Sequence, residues 1–173
     1  MPVYVALLRA VNVGGTGKLP MAKLKAMCAD AGFAGVETYI ASGNVVFESR
    51  TSEAAVKRAL EQALHAHAGK AVGVAVRTAA EMAAVLKANP FRKAPTKFTV
   101  AIFLDRAPPA DALKHATGVN DEEMRLGKRE IYVHYPSGMG RSKLRIPAAK
   151  AGTARNMNTV ARLAEMAAKR AAK

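Results

Sequence analysis

The stretch that decides the fold is VYVALLRAVNVGGTGKLP, which runs from Val3 to Pro20. The largely apolar residues from Val3 to Arg9 predict a buried strand, and Pro20 suits the first turn of a helix. Between them lies a loop whose glycines and polar side chains are Arg9, Asn12, Gly14, Gly15, Gly17 and Lys18. Glycines let a backbone approach a ligand closely, and a helix N-terminus beside two cations favours negative charge. The loop therefore predicts an anion site, with a purely structural turn as the alternative.

The segments that follow have the order of a ferredoxin-like unit. Apolar residues at helical spacing predict helices over residues 20–32 and 51–69. Segments rich in β-branched and aromatic residues predict strands over residues 36–41, 45–49 and 71–77. A tight turn is predicted at Ser42, Gly43 and Asn44. With the first strand, these elements give the order β-α-β-β-α-β.

The pattern then restarts. Thr78 and Glu81 predict a capping box at the start of a helix that Pro90 ends. The remaining predicted elements are a strand over residues 97–104, a short helix over 108–115, hairpin strands over 122–126 and 130–135, and a helix over 154–171. This second set reads β-α-β-β-α, without a closing strand. We therefore predict an α+β fold of two ferredoxin-like units, with antiparallel-rich sheets and helices packed on one face, divided into residues 1–77 and 78–173.

The composition excludes several classes of protein. Half of the 173 residues are hydrophobic, which is enough to build a core. No apolar run approaches the ~18 residues that a membrane span needs, and the apolar start is too short for a signal peptide. Cys28 is the single cysteine, so no internal disulfide can form. We therefore predict a cytoplasmic protein without a membrane partner.

The charge is strongly positive and unevenly distributed. The formal net charge is +14, and the segment from Met139 to Lys173 carries nine basic residues against one acidic residue, Glu165. Such asymmetry predicts a polyanionic partner or a small phosphorylated or acidic ligand. The alternative is that the basic residues form only a solvated face.

Known motifs do not identify a reaction. A Walker A loop would need glycine at Asn12 and a hydroxyl residue at Leu19, and the dinucleotide fingerprint does not fit the loop either. The histidines are scattered and carboxylates are few, so we predict no metal and no cofactor, and the catalytic residues are unknown. Cys28 lies on the apolar face of the first helix and is interpreted as a buried small hydrophobe.

Three segments resemble one protein family. ALLRAVNVGGTGKLPMAKLKAMCADAGFAGVETYIASGNVVFES, residues 6–49, resembles the opening of the domain of unknown function 1697 family, an uncharacterised bacterial family. GMGRSKL at residues 138–144 and TARNMNTV at 153–160 resemble its other two signatures. The resemblance implies a two-part α+β protein of ferredoxin-like units. It implies no established activity and supplies no catalytic residues.

We predict a ligand site formed by the Arg9–Lys18 loop and the RNxNT segment near the C-terminus. Its residues are Arg9, Asn12, Gly14, Gly15, Lys18, Ser42, Asn44, Arg141, Ser142, Lys143, Arg155, Asn156, Asn158 and Thr159. Arg141 and Arg155 can each bind a carboxylate or phosphate bidentately, whereas Asn156 and Asn158 are good helix caps. The alternative is that these groups are internal polar staples that tie the last helix to the Arg9–Lys18 loop.

Three functions stay open. The first is a site for a small phosphorylated or anionic ligand. The second is a nucleic-acid-binding module, which the charge favours and the scarcity of sheet aromatics (Tyr4, Tyr39 and Phe47) opposes. The third is a structural or oligomerising protein that forms a homodimer through an exposed edge strand. Whether the chain is an enzyme is left undecided.

Overall fold

The computed structural model of the chain describes residues 1–12 and 18–173. Within them, the chain forms two compact units, residues 1–83 with 163–173 and residues 84–162. Each unit contains one four-stranded antiparallel sheet, so the fold is α+β as predicted. The predicted division between residues 77 and 78 differs from these units at two places, since residues 78–83 and 163–173 group with the first unit.

The first unit has the complete β-α-β-β-α-β order. Its elements are β1 (Val3–Leu8), α1 (Met21–Asp30), β2 (Ala34–Tyr39), β3 (Asn44–Glu48), α2 (Glu53–Ala68) and β4 (Val74–Thr78). The sheet order is β2-β3-β1-β4, with β1 antiparallel to both of its neighbours. Both helices cover one face of this sheet, where Ala6 and Phe47 share a core with Leu24 of α1 and Leu60 of α2.

Local capping signals in the first unit form as the sequence predicts. The Ser52 hydroxyl accepts the Ala55 N–H at 3.2 Å, and Gly69 ends α2 in the left-handed conformation with φ 71°. The Thr78 N–H donates to the Glu81 carboxylate at 2.9 Å, and the Glu81 N–H donates to the Thr78 hydroxyl at 3.1 Å. This reciprocal pair is the predicted capping box, and it begins α3 (Ala79–Lys87).

The second unit repeats the sheet but not the helices. Its elements are a 3-10 helix (Thr96–Phe98), β5 (Thr99–Phe103), a 3-10 helix (Ala112–His115), β6 (Glu123–Leu126), β7 (Glu130–His134), a 3-10 helix (Pro147–Ala149), β8 (Thr153–Asn156) and the beginning of α4 (Met157–Ala171), whose residues from 163 onward belong to the first unit. The sheet order is β6-β7-β5-β8, which matches that of the first sheet. Strand β8 is the closing strand that the sequence does not predict, since its residues were expected at the start of the last helix. It pairs with the free edge of β5, with Arg155 opposite Ala101.

No helix formed by residues 1–12 or 18–173 combines the length and apolar character that a membrane crossing demands.

One of the basic residues near the C-terminus is part of the first unit's interior. The Arg170 guanidinium pairs with the Glu37 carboxylate and lies 3.6 Å from the Glu48 carboxylate, and its side chain is only 12% exposed. Gly35 makes room for it, because a Cβ on Gly35 would clash with the guanidinium. Gly35 also has φ +60°, which glycine adopts most readily. Arg170 therefore holds the end of α4 to β2 and β3.

We expect Arg170→Met to lower the free energy of unfolding by about 1–3 kcal/mol, because it leaves two partly buried carboxylates without their cation. The matched control is Lys169→Met. Lys169 is 71% exposed and pairs with Glu165 on the same helix, so its loss should cost about 0.5 kcal/mol or less. Urea unfolding of both variants measures the difference. Equal destabilisation of the two variants would contradict a special role for Arg170.

Candidate anion-binding site

The neighbouring strands determine where the chain leaves β1. The Leu8 N–H donates to the Gly43 carbonyl at 2.8 Å, and the Arg9 N–H donates to the Gly73 carbonyl at 2.9 Å. Gly43 belongs to the turn between β2 and β3, and Gly73 directly precedes β4. The chain therefore leaves β1 between these two segments, with Arg9 exposed at the end of the sheet.

The Asn12 side chain ties three backbone segments together at this end of the sheet. Its Nδ2 donates to the carbonyls of Leu19 and Ala41, each at 2.8 Å, and its Oδ1 accepts the Leu19 N–H at 2.6 Å. The bonds to Leu19 join the start of the loop to its end. The bond to Ala41 fastens both to the β2–β3 turn. In the described residues Asn12 thus acts as a polar staple that positions the loop.

Backbone strain is concentrated in the same place. The non-glycine residues with positive φ in the described parts of the chain are Ala10 (53°), Asn12 (54°) and Ile40 (50°). Two of them follow β1, and Ile40 lies in the turn that Asn12 contacts through Ala41. A β-branched residue in this conformation is uncommon, and Ile40 is 50% exposed, so burial of its side chain does not account for the strain. Strained backbone of this kind is characteristic of functional sites.

A cavity of about 220 Å³ opens beside this strained segment. Among the described residues that line it, the ionisable ones are Lys18, His67 and Lys70, which are all basic and all exposed. The other lining residues are apolar: Ala10, Val11, Leu19, Leu64, Ala68 and Val72. The arrangement presents positive charge around an apolar floor.

The predicted site residues of the first unit have different roles. Lys18 lines the cavity. The Asn44 Nδ2 donates to the Tyr39 carbonyl and to the Ser42 hydroxyl, each at 2.9 Å, so these two residues stabilise the β2–β3 turn. Gly14 and Gly15 lie outside the described residues.

In the second unit, Arg141, Ser142 and Lys143 line a separate cavity of about 400 Å³. Two carboxylates line it as well. The Ser142 hydroxyl donates to Glu122 at 2.6 Å, and Asp121 accepts from Ser137. The hydrogen bond from Ser142, followed by that from the Asn120 N–H, lowers the pKa of Glu122, so this group stays ionised and opposes an anion there.

The RNxNT segment contains one helix cap and one loop tie. The Asn156 side chain accepts the Thr159 N–H at 2.9 Å, which caps α4 as predicted. The Thr96 hydroxyl donates to the Asn158 side chain at 2.6 Å and so fastens the loop before β5. Arg155 donates to the Ala154 carbonyl at 2.9 Å, and burial lowers its pKa to about 10. Neither of these bonds reaches the Arg9–Lys18 loop, and a ligand-binding role of Asn156 and Asn158 stays a prediction.

Sequence reasoning missed His67 and Lys70 as cavity residues. His67 lies in the last turn of α2, and Lys70 follows the glycine that ends this helix. Both residues are far from Lys18 in the sequence, and their charge alone does not distinguish them from other surface cations.

Residues 1–12 and 18–173 contain neither a clustered set of metal ligands nor an exposed cysteine thiol. No cluster of three or more His, Cys, Asp and Glu residues in these ranges could hold a metal ion. Cys28 is fully buried in the first core, and this burial raises the pKa of its thiol to about 12. The interpretation of Cys28 as a buried hydrophobe is confirmed.

Comparisons with known proteins agree on the fold and name no activity. A family model described as a protein of unknown function (DUF1697) matches residues 1–132. The conserved bacterial protein SP0830 from Streptococcus pneumoniae has a similar structure, with a TM-score of 0.80 and 26% sequence identity. The alignment covers 96% of this chain and 98% of that one. No curated protein matches the chain.

We expect Ile40→Gly to raise the free energy of unfolding by roughly 0.5–1 kcal/mol, because glycine adopts positive φ without strain. The matched control is Ala41→Gly, at an exposed neighbour that does not have positive φ. It should lower stability by roughly 0.5–1 kcal/mol through the entropy of the unfolded chain. Thermal unfolding of both variants measures the two effects. Destabilisation by Ile40→Gly would show that the Ile40 conformation stores no strain.

Proposed function

This chain belongs to a family of proteins of unknown function, DUF1697, and because membership brings no activity with it, we propose a function from its own residues. We propose that the end of the first sheet, beside the Arg9–Lys18 loop, binds a small phosphorylated or otherwise anionic ligand. The protein acts in this proposal as a binding protein, and a reaction is not part of it.

The observation that supports the proposal is the coincidence of strain and charge. Ala10 has positive φ and lines the cavity, and Asn12 has positive φ and fixes the position of Leu19 in its wall. A structural turn could use glycine at such positions without cost. Retaining strained residues beside a basic cavity is more readily explained by ligand binding than by folding.

Helix α1 adds to the positive potential at this end of the sheet. It begins at Met21, directly after Lys18, Leu19 and Pro20, and its N-cap Pro20 has no side chain that can accept a hydrogen bond. The first N–H groups of a helix carry partial positive charge and favour an anion nearby. The carbonyl end of α2, at Leu64 and Ala68, has the opposite effect. Binding should therefore depend on the side chains of Lys18 and Lys70.

The finer parts of the prediction remain proposals. The predicted contribution of the RNxNT segment to the same ligand, through Arg155, stays a proposal, whereas Arg141 and Lys143 line the other cavity. We also propose a cytoplasmic location.

The proposal can be tested by NMR. Amide spectra of the 173-residue chain are recorded during titration with inorganic phosphate and with pyrophosphate. We expect shifts at Ala10, Leu19 and Val72, and about a tenfold weaker Kd in Lys18→Gln and Lys70→Gln, because each removes one charge contact of about 1–1.5 kcal/mol. Lys25→Gln is the control, since Lys25 is an exposed residue on α1 outside the cavity lining. Absence of shifts at the cavity would refute the site. Additional shifts at Arg155 and Thr159 would support participation of the RNxNT segment.

Nucleic-acid binding is the second candidate, and the net charge of +14 favours it. Two of the three sheet aromatics of the first unit argue against base stacking, whereas Tyr39 is half-buried. Tyr4 and Phe47 are 5% and 0% exposed and belong to the core that α1 and α2 cover. Any binding should therefore consist of phosphate contacts, which depend steeply on salt.

Fluorescence anisotropy with labelled single-stranded RNA and duplex DNA at two salt concentrations tests this candidate. We expect weak binding at low salt only, with a smaller salt slope in a variant that combines Lys169→Gln and Lys173→Gln. Arg170 is kept because it stabilises the first unit. Tight binding that persists at high salt would support a dedicated nucleic-acid module instead.

A homodimer, the third proposal, would appear as a doubled mass in light scattering of the protein.

A further inference from the structure

The floor of the first-unit cavity is more apolar than an inorganic anion requires. Val11, Leu19 and Leu64 line it, and they are 5%, 3% and 1% exposed. All three belong to the same hydrophobic core, so the base of the cavity is the edge of that core. A phosphate ion held by Lys18 and Lys70 would leave uncovered the apolar surface of Ala10, Ala68 and Val72, which also line the cavity and are exposed or half-buried. A ligand with an apolar group would cover it.

The size of the cavity limits that group. Its volume of about 220 Å³ corresponds to about seven waters at ~30 Å³ each. Pockets for drug-sized ligands are larger, at about 300–1,000 Å³. The space therefore suits a phosphate with a short hydrocarbon group.

We propose that this cavity selects an organic phosphate monoester, with its phosphate at the basic rim and a short apolar group against the Leu64 side of the floor. The proposal rests on the proposed function, whose site it shares, and it names the class of ligand. The exposed side chains of Lys18, His67 and Lys70 line the cavity, so the charged end of the ligand stays near water. The buried apolar residues receive the other end. The two ends of the ligand thus match the two kinds of lining.

Ala68 offers a way to block the floor without removing a charge. It is the last residue of α2, it lines the cavity, and its side chain is exposed. Leucine at this position fills part of the cavity and keeps a good helix former in the helix. Ala54→Leu is the matched control, because Ala54 is an exposed alanine in the first turn of the same helix and outside the cavity lining.

The test is the Kd of the full chain for inorganic phosphate and for methyl, ethyl, propyl and butyl phosphate, measured by calorimetry. We expect affinity to rise about fourfold per added carbon until the cavity is full, since each buried methylene contributes about 0.8 kcal/mol. Ala68→Leu should reduce or abolish this rise, because the leucine side chain takes up space that the hydrocarbon group needs. Ala54→Leu should behave as the wild type.

The outcomes separate this inference from the proposed function. If inorganic phosphate binds and the esters bind no better, the inference is overturned and the anion site stands. If none of the probes binds, both are overturned. If affinity rises with chain length equally in Ala68→Leu, the apolar group binds elsewhere and the inference is again overturned.

Discussion

The central position of β1 is the constraint on which the candidate site depends. Both edges of this strand are occupied, by β3 on one side and β4 on the other, so the chain can leave it only at the end of the sheet. The hydrogen bonds from Leu8 and Arg9 to Gly43 and Gly73 hold that exit between two fixed segments. The chain then changes direction at Ala10 and Asn12, which adopt positive φ. The same geometry that closes the sheet therefore places strained backbone beside Lys18.

Features that depend on a few neighbouring residues could be predicted from the sequence. The capping box of Thr78 and Glu81 and the end of α2 at Gly69 need only local spacing, and both form. Strand β8 could not be predicted in this way. Its four residues carry little alternation, and they become a strand because β5 has an unpaired edge to accept them. The pairing partner, β5, lies some fifty residues earlier in the chain, so no local sequence pattern predicts this pairing.

The candidate site was predictable only in part, for the same reason. Lys18 could be identified because it stands beside glycines at the end of a strand. His67 and Lys70 reach the cavity through the packing of α2 against the first sheet, which the charge pattern does not encode. The strain at Ile40 has no sequence signal at all, since isoleucine in a turn would ordinarily be assigned a negative φ. Conversely, Asn158 resembled a ligand residue because one polar side chain can serve equally well for binding or for fastening a loop.

The contact between Gly35 and Arg170 has a consequence for how this chain can change over evolutionary time. The glycine has no side chain where the guanidinium lies, and the guanidinium neutralises carboxylates on the two strands beside that glycine. A side chain acquired at position 35 would be strained by the φ of +60° and would also require the guanidinium to move, and loss of the arginine would leave Glu37 and Glu48 without this cation. The fitness effect of either substitution thus depends on the other residue. We therefore expect the residues at positions 35 and 170, which lie far apart in the sequence, to change together in related proteins.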